Sequence, residues 1–157
     1  MDPLSAMLNP DLPLTQVEYP EWGNPSEDPK TYDLIGSYSP YENIAVVSPD
    51  DEGDKNINDK QQIQPHRYPS LYVTAGLKDQ RVAYWQPLKL IAKMRQQEKQ
   101  QRELSNSDNG EEHNSKALAK IDLDRGHFGG GMEQDVRLTE AAEQVAFLIS
   151  EVQRVKK

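Results

Sequence analysis

Only two runs in this chain favour a β-strand, and each is followed by a helical period. The first, Leu71-Tyr72-Val73-Thr74-Ala75-Gly76-Leu77, is short, β-prone and bounded by Pro69 and by Lys78-Asp79. From Tyr84 the spacing changes. Tyr84, Leu88, Ile91 and Met94 recur at helical intervals, and Gln, Glu, Lys and Arg then dominate through Glu103, so a helix is expected to leave the core and end in solvent. Ala117 to Leu123 is a weaker strand candidate. In the last segment Thr139 reads as an N-cap, and Ala141, Val145, Leu148, Val152 and Val155 follow at alternating spacings of four and three, an apolar helical stripe expected to pack on the sheet. The order strand, helix, strand, helix predicts an α/β layout, with two parallel strands joined by a right-handed crossover. A parallel pair needs neighbours on its edges and layers on both faces. The chain is therefore expected to form an incomplete sheet, one portion of a larger α/β domain.

Composition narrows the function. The chain has 157 residues with 18 Lys+Arg against 26 Asp+Glu, a net charge of −8, and 35% of its residues are hydrophobic. One modest core is the expectation. The negative balance argues against nucleic acid or an anionic membrane as partner. With no Cys, disulfides, thiolate zinc sites and a thiol nucleophile are excluded. Met1-Asp2-Pro3-Leu4 lacks the basic start of a signal peptide, and no run reaches the roughly 18 apolar residues of a spanning helix, so a soluble, cytoplasmic chain is expected. No metal-ligand cluster or cofactor motif appears, and Gly129-Gly130-Gly131 lacks the helix-opening pattern of a dinucleotide site. No cofactor is expected.

The aromatic residues are unevenly placed. All seven Tyr and both Trp lie between Tyr19 and Trp85. Met1 to Asn24 carries Pro3, Pro10, Pro13 and Pro20 and reads as an irregular, extended segment. Asp28-Pro29 is a helix start, with Gly36 as its stop. Two polar stretches, about 49–67 and 99–116, read as solvated, disordered insertions.

In open α/β sheets, ligands and catalytic groups gather at the carboxyl ends of strands. Asp79 falls just past the first strand. His127 falls just past the second, in Asp124-Arg125-Gly126-His127-Phe128. An acid after one strand and a His after a later one match the second and third members of an α/β-hydrolase triad, whose chain order is Ser, Asp, His. The imidazole takes a proton from a serine hydroxyl and returns it to the leaving amine, while the carboxylate fixes its tautomer. An Asp at a strand end is also a common turn former and a His beside glycines a common loop residue, so spacing alone leaves both readings open. His66 and His113 fall in the polar stretches and read as surface residues.

Several ordered motifs carry a resemblance. Glu18-Tyr19-Pro20-Glu21-Trp22-Gly23-Asn24-Pro25, Tyr38-Ser39-Pro40-Tyr41-Glu42-Asn43, and Tyr68-Pro69-Ser70 running on through Lys78-Asp79-Gln80-Arg81-Val82 resemble the catalytic domain of the prolyl oligopeptidase family of serine peptidases. Tyr84-Trp85-Gln86-Pro87 and Gly126-His127 continue the match, which looks most like the oligopeptidase B branch. The resemblance implies an α/β-hydrolase fold, a short peptide substrate, and triad roles for Asp79 and His127. It also implies that residues 1–157 are the C-terminal part of the catalytic domain, lacking its N-terminal half and the propeller.

Two departures matter. The family's Gly-x-Ser-x-Gly elbow, which precedes the segment matching residues 1–25, is absent from the 157 residues, and the only Ser directly after a Gly is Ser37, outside any such motif. The chain alone is expected to be inactive. In the oligopeptidase B branch, acidic residues before Trp-Gly-Asn-Pro receive a basic substrate side chain. Glu18 matches the first of them, whereas Pro20 stands at the second with Glu21 beside it. Glu18 and Glu21 are thus the candidate substrate-binding residues, the bland reading of Glu18 being a solvated acid, and Trp22 is expected to be a packing anchor. A non-catalytic binding or scaffold module, docking a partner through the C-terminal helix, is the alternative.

Overall fold

The structure is a computed structural model that describes residues 2–44, 68–104, 115–127 and 133–155. Its helices and strands are α1 (Pro3–Met7), α2 (Thr15–Trp22), α3 (Pro29–Tyr38), β1 (Leu71–Gly76), α4 (Trp85–Leu104), β2 (Ala117–Asp122) and α5 (Gln134–Val155).

The N-terminal segment is helical, not extended. Pro3 occupies the first position of α1, where a missing N–H costs nothing, and the Asp2 carboxylate accepts from Ser5 N at 3.2 Å. Pro10 and Pro13 lie in the turn between α1 and α2, and Pro20 falls within the last turn of α2, which Gly23 closes at φ 82° by donating to Tyr19 O. Proline opposes a helix chiefly in its interior, and here two of the four stand between helices, one at a first helical position and only Pro20 inside a helix. Leu4 and Met7 bury against Ile35 of α3, with Tyr19 alongside. The buried Asp2 carboxylate also binds Lys89 of α4, tying this small cluster to the sheet layer. Trp22, expected as an anchor, is 49% exposed.

Asp28 starts α3 as expected, its carboxylate accepting from Lys30 N and Thr31 N. The helix continues two residues beyond Gly36 because Asn43 Nδ2 donates to the carbonyls of Gly36 and Ser39, both at 2.8 Å, satisfying groups a helix end leaves open.

Strands β1 and β2 pair in parallel, from Leu71 opposite Ala117 to Gly76 opposite Asp122, with α4 as their connection. Leu90, Ile91 and Met94 of α4 bury against Val73, Ala117 and Ile44, forming the larger core. Leu88, expected on that face, is 40% exposed. The packed face extends one turn beyond Met94 to the buried Gln97, and Arg95 donates twice to Ala117 O. The helix itself reaches Leu104, inside the stretch expected to be an insertion from 99. Residues 45–67, which hold the first expected insertion, and 105–114, which hold most of what is left of the second, lie outside the described residues.

Helix α5 begins at Gln134, five residues before the expected Thr139 cap. Thr139 instead donates its hydroxyl to Asp135 O, four residues back, which a threonine within a helix can do. The face that meets the sheet also differs from expectation. Phe147 stacks on Tyr72 with centroids 5.5 Å apart, Glu143 binds Lys120, and Glu151 binds Ser70 and Lys116. This polar and aromatic stripe lies on the two strands. The apolar stripe of Val145, Leu148 and Val152 is left 53 to 60% exposed.

Candidate active site

An Asp at or just past the end of each strand folds the chain back on itself. Past β1, Asp79 Oδ1 accepts from Arg81 N and Val82 N, both at 2.9 Å. At the end of β2, Asp122 Oδ1 accepts from Asp124 N at 2.9 Å and Arg125 N at 3.1 Å. Such local bonds are what Asp offers a turn. The two turns are then joined across the strand ends, Leu77 N donating to Asp122 O at 2.8 Å and Lys78 N to Arg125 O at 3.0 Å. Gly76 makes the approach possible, since a Cβ there would lie 2.2 Å from Arg125 O. Lys78 and Asp124 add an exposed ion pair of 2.7 Å.

This stitching brings Asp79 and His127 together. His127 Nδ1 lies 3.0 Å from Asp79 Oδ2 and 3.2 Å from Oδ1. The Asp79 side chain is 11% exposed and that of His127 is 34% exposed. Burial pushes the Asp79 carboxyl upward, but the N–H groups of Val82 and Arg81 and the His127 side chain outweigh it and hold the carboxyl below its ordinary value. An ionised carboxylate only accepts, so Nδ1 carries the proton and donates it. Whenever the ring is neutral, this leaves the lone pair on Nε2. That is the tautomer a general base requires.

Beside Asp79 lies a cavity of about 240 Å³ whose lining includes Glu18, Met7, Arg81, Trp85 and Gln86 as well as Asp79. Glu18 and Asp79 are thereby brought to one space. Glu21 is exposed and lies outside this lining. Ser37 sits within α3, its hydroxyl on Leu34 O. Gly76, Arg125 and Glu140 were not singled out from the sequence, yet they shape the site, because Arg125 Nη1 donates to Glu140 Oε1 of α5 at 2.7 Å. The signal available for Arg125 was the Asp two to three residues before a backbone donor, repeated after both strands.

Dipeptidyl aminopeptidase BI of Pseudoxanthomonas mexicana is 32% identical over 152 residues, covering 97% of this chain and 16% of that protein. Protease 2 of Moraxella lacunata is 29% identical, over 97% of this chain and 17% of its own length. Prolyl endopeptidase-like of Homo sapiens is 38% identical over 58% of the chain and 9% of its length. The chain thus spans about a sixth of the first two relatives. Family membership carries the α/β-hydrolase fold, of which the described residues supply two parallel strands and their flanking helices. Since the prolyl oligopeptidase family profile matches residues 1–154, nearly the whole sequence, the chain belongs to that family of serine peptidases.

Proposed function

We propose that this chain contributes the acid and the base of a serine peptidase acting on short peptides. The observation that carries the reading is the 3.0 Å contact between His127 Nδ1 and Asp79 Oδ2, at the adjacent carboxyl ends of two parallel strands. In this reading His127 Nε2 accepts the proton of a serine hydroxyl as its oxygen attacks the peptide carbonyl. The imidazolium, stabilised by Asp79, then gives that proton to the leaving amine, and an acyl-enzyme remains. Water, deprotonated by the same nitrogen, releases the acid. The serine comes from outside these 157 residues, which contain no Gly-x-Ser-x-Gly, and residues 1–157 alone are inactive.

Glu18 supports a preference for cleavage after a basic residue, because this acidic residue lines the cavity beside Asp79. Arg81 lines it too, so the two carboxylates must outweigh that cation before an Arg or Lys side chain is taken. Glu21 lacks this support. The purified 157-residue chain is expected neither to hydrolyse an Arg-containing peptide ester nor to be labelled by an organophosphonate. Turnover or labelling refutes the inactivity of the lone chain. Absence of both in a longer polypeptide that also carries the serine refutes the peptidase reading.

The exposed Val145, Leu148 and Val152 favour a second reading, a non-catalytic module that docks a partner through α5. The nucleotide sequence upstream of Met1 discriminates between them. An in-frame Gly-x-Ser-x-Gly supports the peptidase, and a nearby stop codon supports the module.

A further inference from the structure

We propose that Arg125 and Glu140 are positioning residues for His127, a role that rests on the peptidase reading above. Only Gly126 separates His127 from Arg125, so whatever holds Arg125 limits where the imidazole can lie. Three contacts hold it. Its N–H donates to Asp122 Oδ1 at 3.1 Å, its carbonyl accepts from Lys78 N at 3.0 Å, and its guanidinium Nη1 donates to Glu140 Oε1 at 2.7 Å.

The first two contacts belong to the strand ends. The third reaches from the loop to α5, where the Arg125 and Glu140 side chains are 28% and 14% exposed. A short, charge-assisted bond with its acceptor shielded from water is more directional than an exposed ion pair. The Lys78–Asp124 pair nearby, 63% and 92% exposed, is of that weaker kind. Asp79 has a different support, because its two backbone donors lie within its own turn. The carboxylate therefore keeps its place without α5, whereas the imidazole takes part of its frame from that helix. Loss of the Arg125–Glu140 contact lets His127 drift while Asp79 stays, and a misplacement of about 1 Å lowers catalysis on the order of 10²-fold.

The test reads the imidazole directly. The 157-residue chain is labelled with ¹⁵N-histidine and compared with Glu140→Ala, with the exchanged pair Arg125→Glu/Glu140→Arg, and with Glu143→Ala. The last cuts the Lys120–Glu143 contact on the same helix. With three His in the chain, His127→Gln assigns the signal. The expected result is a protected Nδ1 proton in the parent, its loss in Glu140→Ala, its return in the exchanged pair and its retention in Glu143→Ala. Persistence in Glu140→Ala overturns the proposal. So does equal loss in Glu143→Ala, which reports general docking of α5, and so does a parent signal for His127 indistinguishable from those of His66 and His113. None of these readouts needs a nucleophile. A chain that behaves as expected here, yet never hydrolyses a peptide with the serine present, sinks the peptidase reading and leaves the positioning role standing.

Discussion

His127 and Asp79 are 48 residues apart in the chain and 3.0 Å apart in space. The parallel register produces this. Gly76 opposite Asp122 aligns the ends of the two strands, so Asp79, three residues past one end, meets His127, five residues past the other. Short turns at the two ends, each closed by an Asp carboxylate, consume the difference.

The clearest consequence concerns Asp79→Asn. An Asn oxygen can still accept from Arg81 N and Val82 N, so the turn survives. Its amide can instead donate to Nδ1, which moves the ring proton to Nε2 and removes the base. In a polypeptide that also carries the serine, kcat is expected to fall about 10⁴-fold with little change in folding. A fall below tenfold would remove Asp79 from the proposed triad.

Gly76→Ala tests the joint between the loops. Its Cβ would meet Arg125 O at 2.2 Å, and that oxygen belongs to the backbone, so the two turns must separate. A cost of about 1–3 kcal/mol is expected in chemical denaturation, together with loss of the Asp79–His127 contact. A variant as stable as the parent would show that the strand ends yield without strain.

The candidate pair was legible because it depends on strand order, and strand order follows from a β-prone run and a weaker strand candidate separated by a helical period. Strands β1 and β2 and most of α4 were legible for the same reason. The helices α1 and α2 were obscured by prolines, whose effect depends on position within a turn more than on number. For α5 the periodicity marked a helix but not the face that packs. Ordinarily the apolar stripe turns inward. Here Phe147 meets Tyr72 of β1 and Glu143 meets Lys120 of β2, Glu151 and Glu140 reach Lys116 and Arg125 just outside the strands, and Val145 and Leu148 stay exposed. Arg125 and Glu140 are joined by tertiary packing across 15 residues, which no local pattern encodes.

Acid should loosen α5 through Glu151. The Ser70 hydroxyl, with Lys116 and Arg154, lowers the pKa of this carboxyl, outweighing the upward push of burial. Its folded value therefore lies below the ordinary one of 4.5, taken for the unfolded chain. The stabilisation is complete above that unfolded value and is lost as pH falls through the folded pKa. Denaturant midpoints measured from pH 6 downward should drop less steeply for Glu151→Gln than for the parent. Identical slopes would show that Glu151 titrates alike in both states.

Ile35 and Leu148 carry side chains of the same volume class, yet the fold treats them differently. Ile35 is 1% exposed and packs with Leu4 and Met7, whereas Leu148 is 60% exposed on the outer face of α5. Truncating a fully buried aliphatic side chain removes its transfer free energy and leaves a cavity, so Ile35→Ala is expected to cost about 2–5 kcal/mol. An exposed side chain away from such packing has little to lose, and Leu148→Ala is expected within about 0.5 kcal/mol of the parent. The comparison is made by urea denaturation of the 157-residue chain at several protein concentrations. If Leu148→Ala costs as much as Ile35→Ala, and the cost grows with concentration, the outer face of α5 is buried in solution by another copy of the chain.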